Sequence, residues 1–218
     1  MIDQVRQRLP AEAPQRVMLL MSGGVESSTL LRLLDAMGHT PKPVFLDYSQ
    51  RAAAEEWRRV QAQCARLGCA PLRLPMAELG NALGALRPQR FHVPVLHRNL
   101  IALTVASSAA AALGVRYLCI GVTADDAEVD ASSRPALLHP LSEALAALQR
   151  ELLCPLRDMR KAEVVALGQD LGVDWKLSYS CLLGRAQHCG ACPQCLKRRE
   201  AFQQAGLAHA DVDYARER

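Results

Sequence analysis

Two clusters of residues have the types and the spacing to do chemistry. The first is Met21-Ser22-Gly23-Gly24-Val25-Glu26-Ser27-Ser28-Thr29, a pair of glycines set among hydroxyls directly after an apolar run. Adjacent glycines let the backbone turn sharply with its N–H groups converging, and a helix that begins there adds the positive end of its dipole, so the segment suits a phosphate or pyrophosphate. It is neither the G-x-x-x-x-G-K-S/T loop nor the dinucleotide G-x-G-x-x-G fingerprint, and its plain alternative is an ordinary turn. The second cluster is Cys181, Cys189, Cys192 and Cys195, spaced C-x7-C-x2-C-x2-C, with Gly190 and Pro193 letting the chain fold back around one point. Four thiolates form the tetrahedral soft-ligand set that Zn²⁺ prefers, and with all four positions filled the site is expected to be structural. An iron–sulfur cluster is the competing use of four cysteines, and two disulfides are a third. His188 stands next to Cys189 as a substitute ligand, although a surface histidine is the expected reading.

The elements that must hold these clusters follow from the hydrophobic pattern. Arg16 to Met21 reads as a strand that stops at Ser22-Gly23-Gly24, and Leu30, Leu31, Leu33, Leu34 and Met37 then recur at helical spacing before Gly38. Lys42 to Tyr48 reads as a second strand, Ala52 to Leu67 as a helix closed by Gly68, and Ala70 to Leu74 as a third strand. Glu78 to Pro94 is weakly periodic, a loop or short helix. Asn99 is expected to cap an Ala-rich helix running to Leu113, followed by a fourth strand from Arg116 to Ile120. Val122 to Pro140 turns polar and reads as an irregular substrate-side loop or lid, or as a plain surface loop. A helix at Ser142 to Gln149, a strand at Leu152 to Leu156 and a helix at Arg160 to Leu171 complete the alternation. Repeated βα units predict a Rossmann-like α/β fold, a five-stranded parallel sheet with helices on both faces, with the four-cysteine zinc-binding segment at its C-terminal side. The expected division is a nucleotide-binding domain over 1–175 and a metal-binding segment over 176–218 packed on it. Ligands of such sheets bind beyond the carboxyl ends of the strands, which singles out Ser22-Gly23-Gly24, Asp47-Tyr48-Ser49-Gln50 and Gly121.

The whole-chain numbers exclude several classes. Half of the 218 residues are apolar and 22% are charged, a globular profile long enough to build a core without cross-links. Lys and Arg total 26 against 22 acidic residues, a formal charge of +4 with no block of like charge, which does not mark a nucleic-acid binder. No apolar stretch has the length of a membrane span, and the N-terminus lacks the apolar centre of a secretory signal. A cytoplasmic, reducing setting is expected, in which Cys64, Cys69, Cys119 and Cys154 pack as small hydrophobes within apolar or amphipathic runs.

Ser22-Gly23-Gly24-Val25-Glu26-Ser27 resembles the PP-loop motif S-G-G-x-D-S of ATP pyrophosphatases, with Glu26 in place of the Asp. The C-terminal cysteines followed by Lys197-Arg198-Arg199-Glu200-Ala201-Phe202 and Gly206 resemble the end of the 7-cyano-7-deazaguanine synthase, or QueC, family, with Arg199, displaced by one, and Phe202 on the family's Arg and Phe. Asp47-Tyr48-Ser49-Gln50-Arg51 resembles D-Y-G-Q-R, Arg98-Asn99 the end of V-P-G-R-N, and Lys161-Ala162-Glu163-Val164-Val165 a K-x-E-I-V pattern. These matches run in order from about residue 16 to 214.

The resemblance implies that ATP activates the carboxylate of a 7-deazaguanine as an adenylate, that ammonia gives the amide, and that a second activation yields the nitrile. A carboxylate is a poor electrophile and adenylation supplies a leaving group, so the protein mainly positions reactants and stabilises charge. On this basis Ser22, Glu26, Arg98 and Lys161 are the catalytic candidates. Residues 21–29 and Gly121 would hold the nucleotide, Glu26 would help to hold Mg²⁺, and Tyr48, Gln50, Asn99 and Arg134 would form the substrate pocket. Surface salt bridges are the plain alternative for Arg98 and Lys161, as is core closure for Tyr48. The largest departure from the family is Ser132-Ser133-Arg134-Pro135-Ala136-Leu137, where a D-C-R-P-E-F-like stretch is expected; carboxylate and thiol are both gone. Ser180-Cys181-Leu182 likewise loses the Tyr of Ser-Cys-Tyr. These losses suggest a divergent paralogue with another acceptor, in antiviral defence or elsewhere. A PP-loop RNA-modifying enzyme and a non-catalytic zinc-stabilised nucleotide-binding module are the competing readings, and a homodimer is left open.

Overall fold

The computed structural model describes residues 2–86 and 95–215. A short helix α1 (Ile2–Arg6) leads into β1 (Arg16–Leu20), α2 (Val25–Ala36), β2 (Thr40–Asp47), α3 (Ala53–Arg66), β3 (Leu72–Pro75) and α4 (Ala77–Ala85). After the gap come α5 (Arg98–Ala112), β4 (Tyr117–Cys119), α6 (Ala124–Val129), α7 (Pro135–Ala147), β5 (Glu151–Leu153), α8 (Lys161–Asp170) and α9 (Pro193–Gln204). The strands form one five-stranded parallel sheet in the order β3-β2-β1-β4-β5.

Period-two alternation in β1 shows why helices must cover both faces. Val17 and Leu19 point into a core shared with Leu30, Leu31, Leu33 and Leu34 of α2, Val60 of α3, Val164 and Val165 of α8 and Phe202 of α9. Met18 points the opposite way, onto Ala106 and Ala110 of α5 and Leu145 of α7. Each such side chain contributes about 1.5–3 kcal/mol on full burial, so a shift of register by one residue in β1 would be strongly opposed. α2 packs directly on α8, and the close approach depends on Gly168, where a Cβ would stand 2.4 Å from the Trp175 ring and 2.6 Å from Thr29 Oγ1.

The order of strands reverses between β1 and β4, and at that switch point the loops after the two strands diverge to leave a crevice. Gly121 lines it because a side chain does not fit: a Cβ there would lie 2.9 Å from Glu26 Cβ.

Two segments differ from the sequence-based expectation, and a third takes one of the two forms expected of it. Residues 122–140 are ordered as α6, a 3-10 turn at Ala131–Ser133 and the first turns of α7, rather than an irregular loop. Pro135 occupies the first turn of α7, where its missing N–H is harmless, and Pro140 sits inside the same helix, so prolines that read as breaks are built into it. Ala77–Ala85 is helical, while the remainder of the weakly periodic stretch, residues 87–94, lies outside the described residues. The N-cap position of α5 belongs to His97, at φ 50, and not to Asn99, which is inside the helix and turns its amide across the cleft.

Candidate active site

A cleft of about 270 Å³ opens at the carboxyl ends of β1, β2 and β4. One corner of it is built from the β1–α2 loop. Met21 N–H continues the ladder to Val44 O at 2.9 Å, Gly23 adopts φ +76, and Gly24 is the N-cap of α2 without any side-chain cap. The first amides of a 12-residue helix therefore face the cleft without a side-chain cap partner, which is the arrangement that binds anions. Of the predicted nucleotide set, Met21, Ser22, Gly24, Glu26, Ser27 and Gly121 line the cleft. Gly23, Val25, Ser28 and Thr29 do not. The Gly23 carbonyl accepts the Tyr179 N–H at 2.8 Å, Val25 is fully buried, the Ser28 hydroxyl donates to Gly24 O at 2.6 Å, and Thr29 Oγ1 donates to Val164 O of α8 at 3.4 Å. These four hold the loop's shape from beneath.

Lys161 and Glu26 meet on the cleft floor as a short ion pair, each side chain about one-sixth exposed (16% and 17%). Burial alone would raise the Glu26 carboxyl, but the Lys161 ammonium outweighs it and holds the group below its ordinary range. Beside them stands Asp126, which is absent from the set predicted for the site. Its Oδ2 accepts from Thr123 Oγ1 at 2.8 Å and from Thr123 N–H at 3.1 Å, the reciprocal half of a capping box that starts α6. Burial and the neighbouring Glu26 push the Asp126 carboxyl up. The T-x-x-D spacing of Thr123 and Asp126 was the legible signal. Asp125 completes the corner by accepting the Lys161 N–H at 2.6 Å, which ties the start of α8 to α6.

The opposite wall is made of side chains. Tyr48 and Arg98 lie together, with Arg98 Nη1 donating to Tyr48 Oη at 3.3 Å, and Asn99 Nδ2 donates to Ser133 Oγ at 2.8 Å. Gln50 lines the cleft, yet its amide is occupied: Oε1 accepts from Tyr48 N–H at 3.0 Å, and Nε2 donates to Leu46 O at 3.2 Å and Glu56 Oε2 at 2.9 Å. Ser49 has φ 60, the left-handed region where glycine is favoured, which explains why D-Y-G-Q-R is the commoner form of this turn. Arg134 does not reach the cleft; it is exposed, and its guanidinium donates to the carbonyl of Ala127 at 3.1 Å. Asp130 and Glu56, unnoticed in the sequence, are on the wall.

Tyr179, Ser180, Leu182 and Gln194 of the cysteine segment close the cleft. Arg198, not Arg199, carries the structural role there. It is fully buried, donates to Asp211 Oδ1 at 2.6 Å, Ser178 Oγ at 2.8 Å and Trp175 O at 3.3 Å, and stacks over Phe202 at 4.9 Å. Counted from Cys195 the spacing is C-x-x-R-x-x-x-F, so no displacement is needed. The Arg199 guanidinium lies over the Tyr214 ring at 4.3 Å. His188 is likewise corrected from a surface position: it is 2% exposed, and burial with the nearby Arg198 pushes its pKa down, so the neutral ring accepts the Ser180 N–H at Nε2, 3.0 Å away.

The four cysteine Sγ atoms lie within 4.8 Å of one another, with Cys189 and Cys195 3.9 Å apart. Metal–sulfur bonds of about 2.3 Å in a tetrahedron set sulfurs about 3.8 Å apart, so the cluster has the dimensions to hold a metal ion. Backbone N–H groups already serve as an outer shell: Leu183 and Cys189 donate to Cys181 Sγ at 3.5 Å, and Ala191 and Cys192 to Cys189 Sγ at 3.4 and 3.2 Å.

A parallel sheet with an open helix N-terminus at its switch point defines a Rossmann-like α/β protein. Solved structures of that kind superpose on it: a U34-tRNA thiolase from Methanococcus maripaludis with its 4Fe-4S cluster (TM-score 0.62, 13% identity, 96% of this chain and 75% of that one). A predicted subunit of tRNA methyltransferase from Methanocaldococcus jannaschii also superposes (TM-score 0.56, 13% identity, 93% and 94%). At such identities the likeness establishes the fold alone. The family model described as Queuosine biosynthesis protein QueC matches residues 16–206, and the chain belongs to the QueC family. It is similar to 7-cyano-7-deazaguanine synthase 1 of Sulfurisphaera tokodaii (32% identity, 88% of this chain and 95% of that one). The 7-cyano-7-deazaguanine synthase of Azoarcus sp. matches comparably (34%, 88% and 94%).

Proposed function

We propose that this protein uses ATP to convert 7-carboxy-7-deazaguanine and ammonia to 7-cyano-7-deazaguanine. The carboxylate oxygen attacks the α-phosphorus, pyrophosphate leaves, and ammonia displaces AMP to give the amide. The amide oxygen is then adenylated in the same way, and loss of AMP with the amide's protons leaves the nitrile. In this reading the N-terminal amides of α2 and the Lys161 ammonium hold the β,γ end of the nucleotide, while Arg98 and Tyr48 orient the acid. Glu26 and Asp126 would hold Mg²⁺, which supplies charge neutralisation on the departing pyrophosphate; two adjacent carboxylates, one pushed up by the other, suit a cation. The four-cysteine cluster would hold Zn²⁺ as a structural ion, its four positions filled by protein sulfur.

The observation that carries this reading is the pairing, across one cleft, of an open helix N-terminus beside Lys161 with a wall that gathers Tyr48, Arg98 and Asn99. Support against a thiol-dependent RNA chemistry comes from the remaining cysteines: Cys64, Cys69, Cys119 and Cys154 all lie away from the cleft lining. None of the eight cysteines is paired in a disulfide. No helix among the described residues is long and apolar enough to cross a membrane. The test is release of AMP and pyrophosphate from Mg·ATP with 7-carboxy-7-deazaguanine and ammonium. Wild-type protein is expected to form the nitrile, with S22A and E26Q slowed; turnover of ATP only with RNA, or not at all, would sink the proposal.

A further inference from the structure

The sequence has lost a carboxylate at position 132, and the fold supplies one from position 130. We infer that Asp130 is a specificity-determining residue, its carboxylate reading adjacent N–H donors on the edge of a purine-like acid. The inference rests on the function proposed above and adds which part of the substrate is recognised, and by which residue.

Asp130 lies on the cleft wall together with Arg98, Asn99 and Ser133. Its Oδ1 accepts two bonds from Ser132, the backbone N–H at 2.8 Å and the hydroxyl at 2.8 Å. Ser132 itself is fully buried, so its hydroxyl serves Asp130 rather than the cleft. Those two bonds fix the orientation of the carboxylate. Among the described residues Oδ2 has no hydrogen-bond partner and Asp130 forms no ion pair. A half-buried carboxylate on a cleft lining, held through one oxygen, keeps acceptor capacity on the other for a ligand donor.

Asn99 points to the same donor chemistry. Its amide nitrogen is engaged with Ser133 Oγ at 2.8 Å, which leaves its carbonyl oxygen as a second acceptor on this wall. Two acceptors on one wall suit a ligand edge that presents N–H groups, as an aminopyrimidinone does, and disfavour an edge presenting a bare acceptor. Arg98, whose charge interacts with that of Asp130, and the Tyr48 hydroxyl offer the opposite polarity on the same wall for the ligand's oxygens.

Asp130 also N-caps the 3-10 turn at Ala131–Ser133, and the test must separate that role from recognition. Asn and Asp cap equally well, so D130N preserves the cap while turning an NH₂ donor toward the ligand's own donors. The measurement is kcat/KM for 7-carboxy-7-deazaguanine and for its 2-deamino analogue, with the Kd for Mg·ATP determined in parallel. Wild-type protein is expected to prefer the 2-amino compound by about 10–100-fold, the range of one charge-assisted hydrogen bond. In D130N that preference should collapse to within about threefold while Mg·ATP affinity stays as in wild type. An unchanged preference in D130N overturns the inference, as does an equal loss for both acids accompanied by loss of ATP binding in D130N and in S132A alike. Where D130N alone fails to bind Mg·ATP, S132A decides: freeing Oδ1 of its hydroxyl should weaken the preference, and a full preference overturns the inference. Wild-type protein that releases no AMP with the 2-amino acid overturns the function itself, a result distinct from all of these.

Discussion

The two ends of the cleft are made in different ways. At the corner after β1 the frame is the backbone of one contiguous loop and helix, stiffened from below by Ser28, Thr29 and the Tyr179–Gly23 bond, with the cation Lys161 of α8 brought to it from elsewhere. At the substrate wall the groups are side chains delivered by separate segments: Tyr48 from the end of β2, Arg98 and Asn99 from α5, Asp130 and Ser133 from the α6–α7 turn. A backbone site depends on φ/ψ and close approach, so it is tied to a few glycines and small residues and tolerates Glu26 in place of Asp. A side-chain wall can change one residue at a time without disturbing the sheet. On the function proposed above, the backbone corner would serve the nucleotide and the side-chain wall the acid.

Three measurements bear on that contrast. Replacing Lys161 by Met removes the cation of the corner after β1 and leaves Glu26 beside Asp126 without compensation; AMP release should fall by about 10²–10³, with KM for ATP raised more than KM for the acid. Equal rises in both KM values would mean that the two ends are not separable. With the structural ion proposed for the four-cysteine cluster, a chelator should lower Tm by about 8–16 °C, the shift expected for a loss of about 4 kcal/mol in a chain of this size. Because Tyr179 and Ser180 lie between the cluster and the cleft, ATP affinity should drop along with it. Arg134→Ala should change kcat/KM by less than about twofold, as expected of an exposed side chain outside the cleft. A larger loss would extend the wall beyond its present boundary.

How much of this is readable before folding depends on range. The βα alternation, the glycine loop and the four cysteines are local patterns, and each stands where its spacing put it. Lys161 and Arg98 are legible only through family resemblance, since a lone basic residue at a helix start carries no signal of its own. The stretch from 122 to 140 reads as a loop because polar residues and two prolines look irregular when Pro135 at a helix start and Pro140 within it are judged by composition. Arg198 yields to its neighbour in the sequence because both are arginines; only burial, with Asp211, Ser178 and Phe202 around it, tells them apart.

From its residues alone this chain determined a parallel α/β sheet, a glycine turn after the first strand and a four-sulfur site, because each arises from hydrophobic period, glycine or ligand spacing over a few residues. Tertiary structure decided which cation faces which carboxylate and which acid reaches the substrate wall. Glu26 and Lys161 are 135 residues apart and meet only because α2 packs on α8. Asp130 faces the cleft only because the Ala131–Ser133 turn points Ser132 inward, and such pairings are set by packing, which no local pattern encodes.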